Sequence, residues 1–277
     1  MIFKKGLIMR ELRKRGRPKN AGTPDEAGGV KALERALDVL DLLAASNGLT
    51  LTEIAKALGT APSTIHRVLT TLDVRGVAES DPITQAWHIG PSAFRHGTAF
   101  MRRSSIVERA RPIMRRLMEA TGETANLGIL NGDAVLFLSQ VETHETIRAF
   151  FPPGTRSPFH ASGIGKALLA HAKPDVLRQI LDDAVLSRFT DKTLTERAAL
   201  LADLEETRTR GYSFDDEERT LGMRCIAAPV YDLAGEAVAG ISVSGPMHRM
   251  TEDRCGKIAE AVMVAAQDLS LGVPLRP

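Results

Sequence analysis

The chain has 277 residues, 43% apolar and 25% charged, with 36 Lys and Arg against 34 Asp and Glu and 2 Cys. That is the balance of a globular protein with apolar mass for one large core or two ordinary ones, and two cysteines are too few to frame a disulfide-rich scaffold. No apolar run approaches about 18 residues, so neither a membrane span nor an export signal is expected, and the cytoplasm is the expected location.

The net charge of +2 is unevenly spread. Residues 1–20 hold eight Lys and Arg and the single acid Glu11, leaving −5 for the rest of the chain. Affinity for a polyanion is therefore concentrated in an N-terminal arm. Within it, Arg15-Gly16-Arg17-Pro18 resembles the core of an AT-hook, in which the glycine lets extended backbone enter a narrow A·T minor groove and both arginines lie along its floor. A plain cationic tail that acts by counterion release is the other reading. Met9 offers a second start. Residues 20–29 are small and polar, so arm and linker are taken together as 1–29.

Residues 30–90 read as three helices and a hairpin. Leu33, Leu37, Leu40 and Leu43 recur at helical spacing. Thr52 is expected to cap a short second helix carrying Ile54, Ala55 and Leu58, and Pro62 opens a third with Ile65, Val68, Leu69 and Leu72 inward. A two-stranded hairpin is expected over 77–89. A linker helix follows over 91–103, with a break at 102–105, and a second domain fills 104–277.

In that domain, strands Thr124–Leu130 and Ala134–Val141 flank Asn131-Gly132, a dipeptide suited to a hairpin in which both central residues take positive φ. A third strand is expected at Thr146–Phe151. Helices are expected over 163–171, 174–182, 195–210 and 251–271, and strands over Cys225–Tyr231 and Ala237–Ser244. The pattern predicts an α+β fold with an antiparallel sheet.

Three helices and a hairpin have the proportions of a winged helix-turn-helix. With its apolar side inward, the third helix presents Ser63, Thr64, His66, Arg67, Thr70 and Thr71, a face with no acid to repel phosphate. Farther on, Ser162-Gly163-Ile164-Gly165-Lys166-Ala167 fails the phosphate-loop pattern: His160 stands where the first glycine belongs and Ala167 where the magnesium-binding hydroxyl belongs. The segment reads either as a plain capped helix start or as a small-anion site built on the amides of Gly163 and Ile164. Ser242 and Ser244 share one strand face, with Asp215 and Cys225 on or beside strands, which suggests a pocket. Cys225, His160 and Asp215 form a nucleophilic triad only on paper, since no nucleophile elbow surrounds them, and seven scattered histidines show no metal-binding spacing.

These residues resemble the IclR family of bacterial transcription regulators over essentially 32–258. The matching blocks are Ala36–Leu40; Leu51–Ala55 with Gly59 and Ser63–Leu69; Gly122–Leu127; Pro158–Ala170; Arg210–Tyr212 with Asp216–Glu218; and Ala228–Val230 through Ser242–Pro246. One departure is Pro62, where the family often has a basic residue. The resemblance implies a winged helix, a linker helix and a GAF-like effector-binding domain, assembled as homodimers or dimers of dimers on palindromic operators. It is strongest to glyoxylate-responsive members, of the allantoin-pathway and β-hydroxyaspartate-cycle kinds. It therefore implies an effector site made of the Gly163 and Ile164 amides, Asp215, Met223, Cys225, Ser242 and Ser244, with no cofactor and no metal. Amides and hydroxyls donate to a carboxylate, while Asp215 accepts from the hydrate of an aldehyde acid and repels a second carboxylate. Glyoxylate fits best, pyruvate and glycolate are alternatives, and an enzyme using Cys225 is the distant one.

Overall fold

A computed structural model describes residues 29–270 apart from 104 and 183. The expectations for the arm, including Arg15, Arg17 and the Met9 start, lie outside the described residues. The chain divides into two compact units after Thr98, inside helix α4 (Pro91–Arg103), which follows α1 (Lys31–Ala44), α2 (Leu51–Ala57) and α3 (Pro62–Val74).

In the first unit, Val39 and Leu43 of α1 meet Ile54, Ala55, Ile65 and Leu69 in a small core closed by Ala78. Leu33 and Leu37, expected inward, are 58% and 52% exposed. Leu33 and Leu37 lie roughly a third of a turn from the Val39/Leu43 stripe on the helix, and the three-helix core takes that stripe, so of the leucine repeat Leu43 is the member that is buried. The cap of α2 also differs from expectation. Thr50, not Thr52, accepts from the Glu53 amide, and the Glu53 carboxylate takes the Thr50 amide in return at 2.8 Å. This reciprocal box satisfies two otherwise orphaned donors and stabilises the helix start by about 1 kcal/mol. Pro62 opens α3 as expected. Strands β2 (Ala78–Ser80) and β3 (Ala86–Ile89) form the hairpin, and an unforeseen two-residue strand β1 (Leu49–Thr50) pairs with β3, so the order is β1-β3-β2.

The second unit is built on a six-stranded antiparallel sheet: β4 (Thr124–Asn131), β5 (Ala134–Val141), β6 (Arg156–Pro158), β7 (Ser213–Asp216), β8 (Met223–Tyr231) and β9 (Ala237–Pro246), in the order β6-β5-β4-β9-β8-β7. The α+β fold matches expectation, with two local corrections. Asn131 ends β4 opposite Ala134, so Gly132 alone of the Asn-Gly pair has positive φ, at 63°. Thr146–Phe151 is not a strand. The outer strand is β6, which registers on β5 through Val135↔Ser157, while Phe151 stacks on Phe137 at 4.8 Å.

Strand alternation sorts the side chains. Leu127, Ile226, Ala228, Ile241 and Val243 face α5 (Ser105–Thr121) and α9 (Glu252–Ser270) in the larger core. The opposite face meets α6 (Gly163–Ala170) through Val135, Phe137 and Ala227, packed with Ile164, Ala167 and Leu168. Beyond α6, α7 (Pro174–Asp182) and α8 (Arg197–Arg210) close a further layer around Leu169, Leu200 and Leu204. The sheet presents glycine where α6 lies on it: a Cβ on Gly240 would stand 2.8 Å from the Ile164 side chain.

Candidate functional site

The register of the sheet gathers residues that are far apart in sequence. Asp215 lies opposite Cys225, Cys225 opposite Ser244, and Ser244 opposite Thr124; one row over, Ser242 lies opposite Asn126. Directly opposed residues share a face, and this face is the one α6 covers. Helix α6 starts there: Ser162 caps it by accepting from the Gly165 amide at 3.4 Å, and a Cβ on Gly163 would lie 2.7 Å from Cys225 Sγ. The amides of Gly163 and Ile164 thus open a helix aimed at a polar patch of sheet, with the positive end of the helix dipole toward it. Five sequence-assigned positions, Gly163, Asp215, Cys225, Ser242 and Ser244, meet here. Ile164 contributes only its amide, because its side chain is sealed in the core, and Met223 stands two residues before Cys225 on the same strand face.

Asp215, Ser242 and Ser244 are buried, whereas Met223 and Cys225 keep partial exposure. Asn126, which carries no signal in the sequence beyond its place in a family block, completes the patch. Its Nδ2 donates toward Ser244 Oγ at 3.3 Å and Ser242 Oγ at 3.5 Å, and its Oδ1 accepts from Gln140 at 2.9 Å. Burial pushes the Cys225 thiol up to about 11, with the Asp215 carboxylate adding to the effect and the hydroxyls of Ser244 and Ser242 and the Gly163 amide opposing it. Cys225 is therefore a neutral thiol among hydroxyl and amide donors. No imidazole activates it: His160 Nε2 pairs with the Ser187 carbonyl at 2.9 Å, and its ring lies edge-on to Phe159. The paper triad does not assemble. Among the described residues no cluster of three or more His, Cys, Asp or Glu is placed to hold a metal ion.

A buried ionic cluster behind this patch escaped the sequence reading. Lys166, fully buried, donates to Glu218 Oε1 and the Phe214 carbonyl, each at 2.6 Å, and lies 3.1 Å from Asp203 Oδ2. The Glu218 amide donates to Asp215 Oδ1 at 2.8 Å, tying the cluster to the patch. Burial opposes the Lys166 charge, but Glu218 and Asp203 outweigh it and hold the ammonium above its ordinary value. Burial also lifts Asp215 to about 6, against the pull of Lys166, and Glu218 to about 8, with Asp215 and Asp203 adding to the rise. The available signal was a lysine in an otherwise apolar helix, Gly163–Ala170, buried on every side.

In the first unit, Ser63, His66, Arg67, Thr70 and Thr71 are exposed along α3, and Thr64 is half-buried. Thr70 and Thr71 donate their hydroxyls to the carbonyls of His66 and Arg67, at 2.9 and 2.8 Å. What they offer outward is therefore methyl groups and acceptor lone pairs. Pro62 at the helix start brings no side-chain donor. Arg67 is the cation of the face, and no acid lies between Ser63 and Leu72.

Comparison with known proteins agrees with both units. The profile described as IclR helix-turn-helix domain matches residues 32–82, and that described as bacterial transcriptional regulator IclR C-terminal matches residues 98–271. The chain belongs to the IclR family. It is 68% identical over 269 residues to the HTH-type transcriptional regulator BhcR of Paracoccus denitrificans (strain Pd 1222), covering 96% of each chain. It is 39% identical to the HTH-type transcriptional repressor AllR of Escherichia coli (strain K12), covering 97% of this chain and 99% of that one. Among solved structures, an IclR homolog from Microbacterium hydrocarbonoxydans complexed with 4-hydroxybenzoate superposes with a TM-score of 0.74 at 26% identity, covering 87% of this chain and 98% of that one. The protein is thus a transcriptional regulator, with an N-terminal helix-turn-helix domain for DNA and a C-terminal domain for a small effector. The relatives are named as regulators and repressors rather than enzymes. Among the described residues no helix is long and apolar enough to cross a membrane.

Proposed function

We propose that this IclR-family regulator senses glyoxylate, with pyruvate or glycolate as the next candidates, at the start of α6, and that the bound acid alters its affinity for a palindromic operator. The observation that carries this reading is the convergence of the Gly163 and Ile164 amides, the hydroxyls of Ser242 and Ser244 and the neutral Cys225 thiol on one patch beside Asp215. A carboxylate takes the amides and hydroxyls, and Asp215 accepts from a hydroxyl of the hydrated aldehyde or of a hydroxy acid while it disfavours a second carboxylate. Met223 borders the patch from the open side.

On the DNA side, Ser63, Thr64, His66, Arg67, Thr70 and Thr71 are the recognition face, and Arg15 and Arg17 of the arm bind the minor groove or add counterion-release affinity. The division of labour is 1–29 arm and linker, 30–90 DNA-binding domain, 91–103 linker helix and 104–277 effector domain. The working form is a cytoplasmic homodimer or dimer of dimers without cofactor or metal. The exposed row Leu33 and Leu37 supports burial against a second copy. An effector coupling of about 1–3 kcal/mol between the two sites is expected.

Calorimetry of the full chain with glyoxylate, pyruvate, glycolate and a dicarboxylate, repeated on Ser242→Ala/Ser244→Ala and Asp215→Ala, tests the site. Unchanged binding in every variant refutes it. Footprinting the gene's own upstream DNA with and without glyoxylate tests the coupling.

A further inference from the structure

The cluster around Lys166 holds one ammonium and three carboxylates, Asp203, Asp215 and Glu218, two of which approach its Nζ to 2.6 and 3.1 Å. Glu218 Oε2 is buried without a hydrogen-bond partner, and Asp203 Oδ2, buried beside it, faces the Lys166 ammonium at 3.1 Å. A buried carboxylate oxygen that no donor satisfies is costly as an anion, and the three carboxylates still outnumber Lys166 and the Arg210 guanidinium at the edge of the cluster by one. One proton on the cluster removes part of both costs. Glu218 is the member placed to pass the consequence on, since its side chain touches Lys166 while its backbone amide holds Asp215.

We propose that the proton on Glu218 governs anion binding at the effector site: protonated, Glu218 lets Asp215 and an incoming monoanion share the start of α6; ionised, it expels the anion. The inference rests on the reading of Asp215 and the α6 start as the effector site.

The groups that face the cluster come from five elements. Helix α6 supplies Lys166, held charged; α8 supplies Asp203, with the Arg210 guanidinium 3.6 Å from its Oδ1. The turn before α6 supplies His160, whose burial keeps the ring neutral; β8 supplies Cys225, a thiol up to about 11. The end of β7 and the turn after it supply Asp215, which titrates at about 6, Asp216, held ionised by Lys192 and Arg224 against its burial, and Arg219. Glu218, at about 8, is left as the group of this shell with a displaced titration inside the window from pH 7 to 9. Glyoxylate is a carboxylate and does not change charge there.

The test is calorimetric titration of the full chain with glyoxylate at pH 7, 8 and 9, for the wild type and Glu218→Gln, a neutral isostere of the protonated residue. An infrared measurement of the buried carboxylic acid C=O band accompanies it. The expected result is a wild-type Kd that weakens by up to about tenfold per pH unit above pH 8, the slope for one linked proton, while Glu218→Gln stays within about threefold. The infrared band is expected in the wild type at pH 7, gone by pH 9, and absent from Glu218→Gln. A wild-type Kd constant from pH 7 to 9, or a loss equally steep in Glu218→Gln, overturns the proposal, as does absence of the band at pH 7. If glyoxylate fails to bind at pH 7 while the band titrates as expected, the effector assignment falls and the proton on Glu218 stands.

Discussion

Gly163 and Cys225 are in contact through a gap that only a hydrogen fills: a Cβ at Gly163 would stand 2.7 Å from Cys225 Sγ and 3.3 Å from the Ala227 Cβ. The first residue of α6 thereby rests directly on β8, and its amide is held against the polar patch. Gly163→Ala is expected to push α6 off the sheet, costing about 1–3 kcal/mol by overpacking. Glyoxylate affinity should fall more steeply than stability. Urea unfolding and calorimetry on the same preparation separate the two effects, and an unchanged affinity would show that the contact does not position the amides.

Asn126 holds the two serines from the neighbouring strand and is itself held by Gln140. Asn126→Ala leaves the buried Ser242 and Ser244 and the half-buried Gln140 each short of a bond, a loss of about 1–3 kcal/mol. Because the serine hydroxyls lose the donor that orients them, effector affinity is expected to drop about tenfold, 1.4 kcal/mol. Gln140→Ala, one contact farther away, should retain more of the affinity. Equal losses in the two variants would remove the distinction.

On α3, the proposed recognition helix, Arg67→Ala is expected to cost about 1–3 kcal/mol of specific operator binding if the guanidinium reads a base edge. Thr70→Val and Thr71→Val should cost less, because those hydroxyls already spend their protons on the carbonyls of His66 and Arg67. Gel-shift titration against the operator and a scrambled sequence checks the order. A specific footprint that survives Arg67→Ala would remove α3 from the reading role.

Deletion of residues 1–20, which carry eight bases and one acid, should lower DNA affinity and reduce the slope of log K against log salt. The slope is the decisive quantity, since a folding defect lowers affinity without flattening it. An identical slope with and without the arm would exclude its contact with phosphates.

Folding stability should decline as pH rises from about 5 to 9. Asp215 and Glu218 titrate in the folded protein at about 6 and about 8, above the ordinary unfolded range of about 4. A carboxyl whose folded value is raised binds more protons folded than unfolded between the two values, so its stabilisation is complete below the unfolded value and is lost as pH passes through the folded one. Urea midpoints at unit pH steps check this. Glu218→Gln should flatten the part of the decline between pH 7 and 9, and a wild-type midpoint that rises over that interval would contradict the assigned shift.

Much of the architecture was legible in the residues because local rules and tertiary outcome agree. The inward set Ile65 and Leu69, with Val68 and Leu72 beside them, the proline opening α3, and the long strands of the second unit each follow from periodicity or backbone chemistry that a core reinforces. Where two local solutions compete, the local pattern pointed to Leu33 and Leu37, Thr52 and Thr146–Phe151, and the structure took the other in each case. Leu33 and Leu37 look as inward as Val39; Thr52 looks as good a cap as Thr50; Thr146–Phe151 looks as extended as β6. In each case the partner elsewhere in the chain decided: the three-helix core, the Glu53 carboxylate, and the free edge of β5.

The sequence by itself determined a basic arm, an acid-poor outward face on α3, an α+β fold and the residue types that meet at the start of α6, because these depend on composition and short spacings. Only the tertiary structure brought Asn126 beside Ser242 and Ser244, sealed Gly163 onto Cys225 and closed Lys166 in with Asp203 and Glu218. Those relationships join residues tens of positions apart through sheet register and helix docking. Their energies come from burial, which no residue carries until the chain around it is packed.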